Sequence, residues 1–372
     1  MEIIMSKRPL IDVENQNNLN SDLYPLFLGK ELFVTDNISV AYPELVTLRK
    51  KLIKERWVED EIDLSKDSAD IKNPDLKSAT DVMKITLQFQ HLMDSVASHS
   101  IKGILGLFSS NSELNLLLSE WEMNEDIHAV TYSEIIKICF PNPNALLEDT
   151  RTNRDILDRI APLSEVFEAT QVMGYRYKLG EYHDYEAMRQ QILLFIAALT
   201  SLEAISFSAS FASSFAIAKG SKAFDGITKN ISLIARDETG THVPADMELF
   251  KILMRDPEWK ASYETVKPKV QELFNTVHNI ERSWSTYLFS EGRAIIGLNA
   301  NLLNKYVDFL SAPIYDLFGL SMDFERLQED PLPWMSQYID LNQIQLASQE
   351  SQTINYQVNS TLDDLDDEDF DF

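Results

Sequence analysis

The chain has 372 residues, enough to bury one large core or two modest ones. Its 59 acidic against 33 basic residues give a formal charge of −26, which argues against nucleic acid or an anionic membrane as the main partner, because phosphate binding needs a basic face. Only 11 glycines and 13 prolines favour long helices over a many-turned β architecture, and the one cysteine, Cys139, permits no intrachain disulfide and fits a reducing, cytoplasmic compartment.

Residues 1–22 are polar, lack the apolar run of a signal peptide and read as a loosely held arm. Residues 42–57 carry Leu45, Leu48, Leu52 and Ile53 at helical spacing, and an acidic link follows Trp57. Helical patterns then run over 81–107, with Asp94 midway, and over 113–140, where the prolines of PNPN end the segment. Two long patterns, 154–178 and 185–219, precede 227–254, and an amphipathic helix is expected over 268–289.

Within 193–218 the only charge is Glu203, and the length would permit a membrane span. Six serines, a central carboxylate and the lack of flanking basic residues or an aromatic belt argue instead for a helix surrounded by other helices. From residue 342 onward the chain is polar and aperiodic, and its last eleven residues include seven acids together with Phe370 and Phe372. The expected organisation is therefore an arm over 1–22, one helical domain over 23–335 and a flexible acidic tail over 336–372 that docks another protein.

The segment WEMNEDIHAVTY places Glu125, His128 and Tyr132 three and four residues apart, on one face of a helix. Glu203 in its apolar helix, Glu238 followed by His242, and Asp94 complete a set of four carboxylates and two imidazoles spread over four helices. That donor set is what a helical bundle uses to hold two metal ions, and hard oxygen with imidazole nitrogen suits iron or manganese. Open positions on such a pair would admit dioxygen, and a phenol close by could lose one electron. Phe207 and Phe211 follow Glu203 by four and eight residues and are expected to wall the site.

These motifs in this order resemble the small, radical-generating subunit of class I ribonucleotide reductase. The landmarks are Trp57 before EDEIDLSKD, LMDS around Asp94, NEDIHAVTY, LEAISFSASFASSFA, LIARDE and the tail around Tyr356, and together they span nearly the whole chain. The resemblance implies an all-α, ferritin-like bundle that forms a homodimer and holds two metal ions, iron first and manganese as the alternative, with dioxygen for activation. Asp94, Glu125 and His128 would hold one ion and Glu203, Glu238 and His242 the other. Tyr132 matches the family's stable tyrosyl radical, and Phe207, Phe211 and Ile234 match its apolar pocket. Trp57 and Asp237, with His128, match the hydrogen-bonded path to the surface. Tyr356 matches the tail tyrosine that passes the oxidising equivalent to the large subunit, which the tail itself would dock.

One departure stands out. The family places its second histidine three residues after the glutamate, where this chain has Thr241, and His242 follows Glu238 by four. On a helix both positions lie on the metal face, and a π-bulge would absorb one inserted residue. The other histidines, His91, His99, His183 and His278, match no ligand position. The rival function is another di-iron carboxylate oxidase on the same bundle, a hydroxylase or ligand-binding oxidase, which has no use for an exported radical.

Overall fold

The computed structural model describes residues 25–29, 35, 37–38 and 40–339. The arm over 1–22 lies outside the described residues, as does the tail after Ile339, including Tyr356, Phe370 and Phe372. The described residues are helical, with two isolated β-bridges, Phe27 with Ser109 and Ile295 with Leu298. The helices are α1 (Pro43–Lys54), α2 (Ser65–Ile71), α3 (Lys77–Ser100), α4 (Ser112–Cys139), α5 (Pro143–Thr152), α6 (Arg154–Lys178), α7 (Tyr185–Ser201), α8 (Ser208–Ser221), α9 (Asp225–Asp237), α10 (Val243–Leu253), α11 (Pro257–Leu288), α12 (Ala300–Leu317) and α13 (Ser336–Ile339).

Polar caps set several of these boundaries. The side chains of Asn111, Asn142, Asp184 and Asn299 each accept from a backbone N–H in the first turn of α4, α5, α7 and α12. The α4 helix stops at Cys139 because Pro141 forces the residue before it out of the helical region, and Pro143 then opens α5. The α9 helix has no cap of its own. Asp67 on α2 supplies it, accepting from Gly226 N at 3.1 Å and Ile227 N at 2.9 Å. A cap from another helix fixes α9, which carries Ile234 and Asp237, against the rest of the bundle.

Four long rods surround the centre: α3, α4, the continuous helix formed by α7 and α8, and the continuous helix formed by α9 and α10. The α3 rod packs along α4 and α8, while α8 meets α9, and α7 meets α10. The α6, α11 and α12 helices cover the outer side of α7 and α8. Both composite rods contain one π-helical turn, Leu202–Ser206 in the first and Glu238–His242 in the second. The rod over residues 185–221 is long and apolar enough to cross a membrane, yet 89% of its most apolar 18-residue window is buried inside the protein. It is a core helix.

Some local expectations need correction. Ile53 was expected to join Leu45, Leu48 and Leu52 on the buried face of α1, but it is 41% exposed, because one residue beyond Leu52 rotates it about 100° off the stripe. The α11 helix begins at Pro257, and Pro268 lies inside it. The apolar spacing continues through that proline: Trp259, Tyr263, Val266, Val270, Phe274 and Val277 are all buried. Six buried side chains, at about 1.5–3 kcal/mol each, outweigh the roughly 3 kcal/mol of one interior proline. The expected start of the tail at 336 falls on α13, whose Tyr338 stacks on Phe215 with ring centroids 4.6 Å apart.

Candidate metal centre

Glu125 and His128 on α4 meet Glu238 and His242 of the second π turn at the centre of the bundle. One ligand atom from each lies within 4.8 Å of all the others, and all four side chains are buried. The shifted histidine therefore reaches the cluster, and the π turn over Glu238–His242 is the local device that brings it there. A π turn accommodates one extra residue without changing the register of the helix on either side.

Both imidazoles present Nδ1 to the carboxylates. His128 Nδ1 is 3.1 Å from Glu238 Oε1 and 3.6 Å from Glu125 Oε2, and His242 Nδ1 is 2.8 Å from Glu125 Oε1 and 3.2 Å from Glu238 Oε2. Their Nε2 atoms point outward to oriented partners: His242 Nε2 is 2.7 Å from Asn124 Oδ1, and His128 Nε2 is 3.4 Å from Asp237 Oδ2. Holding one ring nitrogen this way leaves the other to act as a metal ligand, and partners of this kind set both tautomer and ring direction.

Asp237 gathers several donors. Trp57 Nε1 donates to Asp237 Oδ2 at 2.7 Å, Asn124 Nδ2 donates to the same oxygen at 3.2 Å, and Arg236 Nε donates to Oδ1 at 2.8 Å. Burial opposes a charge on Asp237, but His128, Arg236 and Trp57 outweigh it and hold the carboxyl at about 2. Asn124, absent from the expected site, bridges Asp237 to His242. It stands directly before Glu125, and the one available signal was an amide on the ligand face, four residues from His128.

Asp94 and Glu203 flank the four without joining the tight group. Both are buried, and neither carboxylate accepts a hydrogen bond from an N–H or a hydroxyl among the described residues. Burial raises Asp94, and the negative charge of Glu125 adds to it. Burial also raises Glu203, reinforced by Asp246 on α10. Asp246 is fully buried and engages Glu203 carboxyl to carboxyl, a contact that requires one of the two to keep its proton. It is the second residue the sequence reading missed.

In the central four, burial works against a charge on Glu125, yet His242 and His128 hold it at about 2. Burial likewise disfavours the charged imidazoles, but Glu238 and Glu125 lift His242 to about 10, and Asp237, Glu125 and Glu238 raise His128. Buried carboxylate oxygens without donors are costly, and cations compensate them. Asp94, Glu125, Glu203 and Glu238 bring four negative charges when ionised, which two divalent ions would balance with both imidazoles neutral. The donor set fits a di-metal centre, and hard carboxylates with imidazoles suit iron or manganese alike.

Tyr132 lies one turn beyond His128 on α4 and is fully buried, and its hydroxyl has no hydrogen-bond partner among the described residues. Burial, with the negative charges of Asp94, Glu238 and Glu125, raises its phenol well above the usual range. Phe207, Phe211 and Ile234 are all buried, and the first two rings stack with centroids 5.3 Å apart. Trp57 stacks on His128 at 6.0 Å. Among the remaining histidines, His278 is buried against Asp308 at 2.8 Å, His91 is half-buried, and His99 and His183 are exposed.

Comparison with known proteins gives the same direction. The family model described as ribonucleotide reductase, small chain, matches residues 36–331. The ribonucleoside-diphosphate reductase subunit beta of Buchnera aphidicola subsp. Baizongia pistaciae is 29% identical, over 95% of this chain and 97% of its own. That of Haemophilus influenzae is 28% identical, over 96% and 97%. Among solved structures, the ribonucleotide reductase R2 subunit from Clostridium botulinum superposes with a TM-score of 0.72 at 19% identity, covering 85% of this chain and 94% of that one. The dimanganese(II)-NrdF of Streptococcus sanguinis does so with a TM-score of 0.66 at 16% identity, covering 82% and 99%. The helical bundle is thus the ferritin-like arrangement expected, and the family match across most of its length makes this chain a member of the ribonucleotide reductase small-chain family, the beta subunit of an oxidoreductase.

Proposed function

We propose that this subunit generates a stable radical on Tyr132 and exports the oxidising equivalent to a separate large subunit that reduces ribonucleotides. The observation that carries this reading is Tyr132 itself, a fully buried phenol without a hydrogen-bond partner, one helical turn from His128. Asp94, Glu125 and His128 would hold one metal ion and Glu203, Glu238 and His242 the other. When bound, the metal pair supplies dioxygen-dependent one-electron oxidation.

The chain's own residues do the rest. Burial of the Tyr132 ring keeps solvent reductants away, and Phe207, Phe211 and Ile234 are assigned to its apolar wall. The raised phenol keeps its proton until oxidation, so the electron and the proton leave together, the proton to an acceptor at the metal face. Trp57, Asp237 and His128 form a hydrogen-bonded series, and we assign that series to radical transfer. Tyr356 and the acidic tail are assigned the last step and the docking of the large subunit, and a homodimer is the assembly we expect. Either iron or manganese fits the donors.

The test is electron paramagnetic resonance of the protein loaded with iron(II) or manganese(II) and exposed to air. A tyrosyl signal should form and be lost in Tyr132→Phe with metal content unchanged. A signal that survives this substitution removes Tyr132 from the role, and no radical under either loading favours a di-metal oxidase acting on its own substrate.

A further inference from the structure

Glu203 and Phe207 belong to the first π turn and its exit, and a buried ion pair from outside that rod grips the same backbone. Arg159 on α6 is 6% exposed and Glu281 on α11 is 1% exposed, and their side chains are paired. Arg159 Nη2 also donates to the Ser206 carbonyl at 3.0 Å, at the last residue of the π turn. Glu281 Oε1 accepts from Ala209 N at 2.9 Å. Regular α-helix resumes at Ser208, so this hydrogen bond falls in the first turn after the π segment.

Further contacts lock the clamp. The Arg159 guanidinium lies 3.2 Å from the centroid of Phe89 and 4.0 Å from that of Trp284. Phe89 in turn faces Phe207 at 6.4 Å, and Trp284 Nε1 donates to Ser210 Oγ at 3.1 Å. A buried ion pair is weak as a source of stability, because desolvation offsets most of the attraction. It is effective at fixing geometry. The other π turn of the site shows the same device: Lys51 Nζ on α1 donates to the Gly240 carbonyl at 2.6 Å. Each ligand-bearing π turn thus has one carbonyl held by a cation from a neighbouring helix.

We infer that Arg159 and Glu281 are positioning residues for the metal centre: they fix the π turn over Leu202–Ser206 and thereby aim Glu203 at the metals and Phe207 at the radical pocket. The inference rests on the di-metal reading above. Loss of an outer partner of a metal ligand typically weakens metal binding about 10–100-fold, and here only the site that uses Glu203 should respond.

The experiment compares the parent, the charge-free double variant Arg159→Met/Glu281→Gln, and Tyr263→Phe, a control that loses the hydrogen bond to the Phe318 carbonyl away from the π turn. Manganese(II) binding is followed by equilibrium dialysis and by the electron paramagnetic resonance of the bound ion, with hydrogen exchange over residues 202–210 read in parallel. The parent should hold two ions per chain. The double variant should hold one tightly, with the second weakened about 10–100-fold, a bound-ion signal typical of an isolated manganese, and faster exchange over 202–210. The control should keep both ions at parental affinity. If the double variant fails to fold, Arg159→Lys takes its place, since it keeps a cation beside Glu281 while losing the guanidinium fork that also holds the Ser206 carbonyl, and the same weakening of one ion is expected. Equal affinity for both ions in variant and parent overturns the inference while leaving the metal reading intact. A parent that holds fewer than two ions overturns the metal reading, and the role of the clamp falls with it.

Discussion

Trp57 and Asp237 are 180 positions apart in sequence and joined by a 2.7 Å hydrogen bond in the core. The accepting oxygen is the one that faces His128 Nε2 at 3.4 Å, so a single atom couples the α1 end, α9 and the α4 imidazole of the central cluster. Such a junction serves two purposes. It sets the direction of His128, and it gives a continuous polar connection through an otherwise apolar interior.

The first prediction separates these purposes. Trp57→Phe keeps an aromatic ring against His128 but removes the N–H, leaving Asp237 with Arg236 and Asn124. A lost hydrogen bond to a charged group costs about 1.5–3 kcal/mol, so the melting temperature should fall by several degrees. Metal content should stay at the parental level, because His128 keeps Asp237. Ribonucleotide reduction with the large subunit should drop by at least about 100-fold, an effect of about 2.7 kcal/mol on the transfer step. Turnover equal to the parent would remove Trp57 from the path.

A second prediction concerns Asp246, which touches Glu203 and has no other polar partner among the described residues. If its task is to hydrogen-bond and orient Glu203, Asp246→Asn should preserve metal binding, because an amide N–H can serve where a carboxyl O–H did. Asp246→Leu removes the contact and should weaken one of the two ions about 10–100-fold. Metal titration of the three proteins decides. Loss of one ion in Asp246→Asn to the same degree as in Asp246→Leu would instead make Asp246 an oxygen ligand in its own right.

Much of the central cluster was legible because its carboxylates and imidazoles obey helical periodicity. Glu125, His128 and Tyr132 share a face by arithmetic alone, and Glu203 is the one charge within the apolar stretch 193–218, where an idle carboxylate would be too costly. Asn124 and Asp246 were not legible for a physical reason. Each acts across helices, on a partner about 120 and 43 positions away respectively, and nothing in local spacing marks such a pairing. The same holds for Asp67, whose capping of α9 is visible only once α2 and α9 are packed. The α11 start was missed because Pro268 is a strong local stop signal, and the apolar stripe that overrides it gains its energy from α7 and α12, not from its own sequence.

The last prediction concerns the π turn that brings His242 into place. A π turn is an α-helix with one residue too many, and the excess is absorbed within one turn. In Glu238–His242 the widened backbone is supported from several sides: Thr239 Oγ1 donates to the Ala235 carbonyl at 2.8 Å, Thr241 Oγ1 to the Asp237 carbonyl at 2.7 Å, and Lys51 Nζ to the Gly240 carbonyl at 2.6 Å. Gly240 has no side chain to lose, so its deletion removes one backbone unit and the Lys51 contact and nothing from the core. The histidine would then follow Glu238 by three, about 60° from it around a regular α-helix and still on the same helix face. Because a π turn leaves the flanking registers unchanged, α10 and its Asp246 should keep their places. The deletion should therefore fold, lose about 1–2 kcal/mol of stability with the Lys51 contact, and still hold two metal ions. Lys51→Met, which removes the same contact but keeps the extra residue, should show a similar loss of stability. Circular dichroism melts and metal stoichiometry test both. A deletion that folds yet holds one ion would mean that the π turn is needed to aim His242 and does more than tolerate an inserted residue.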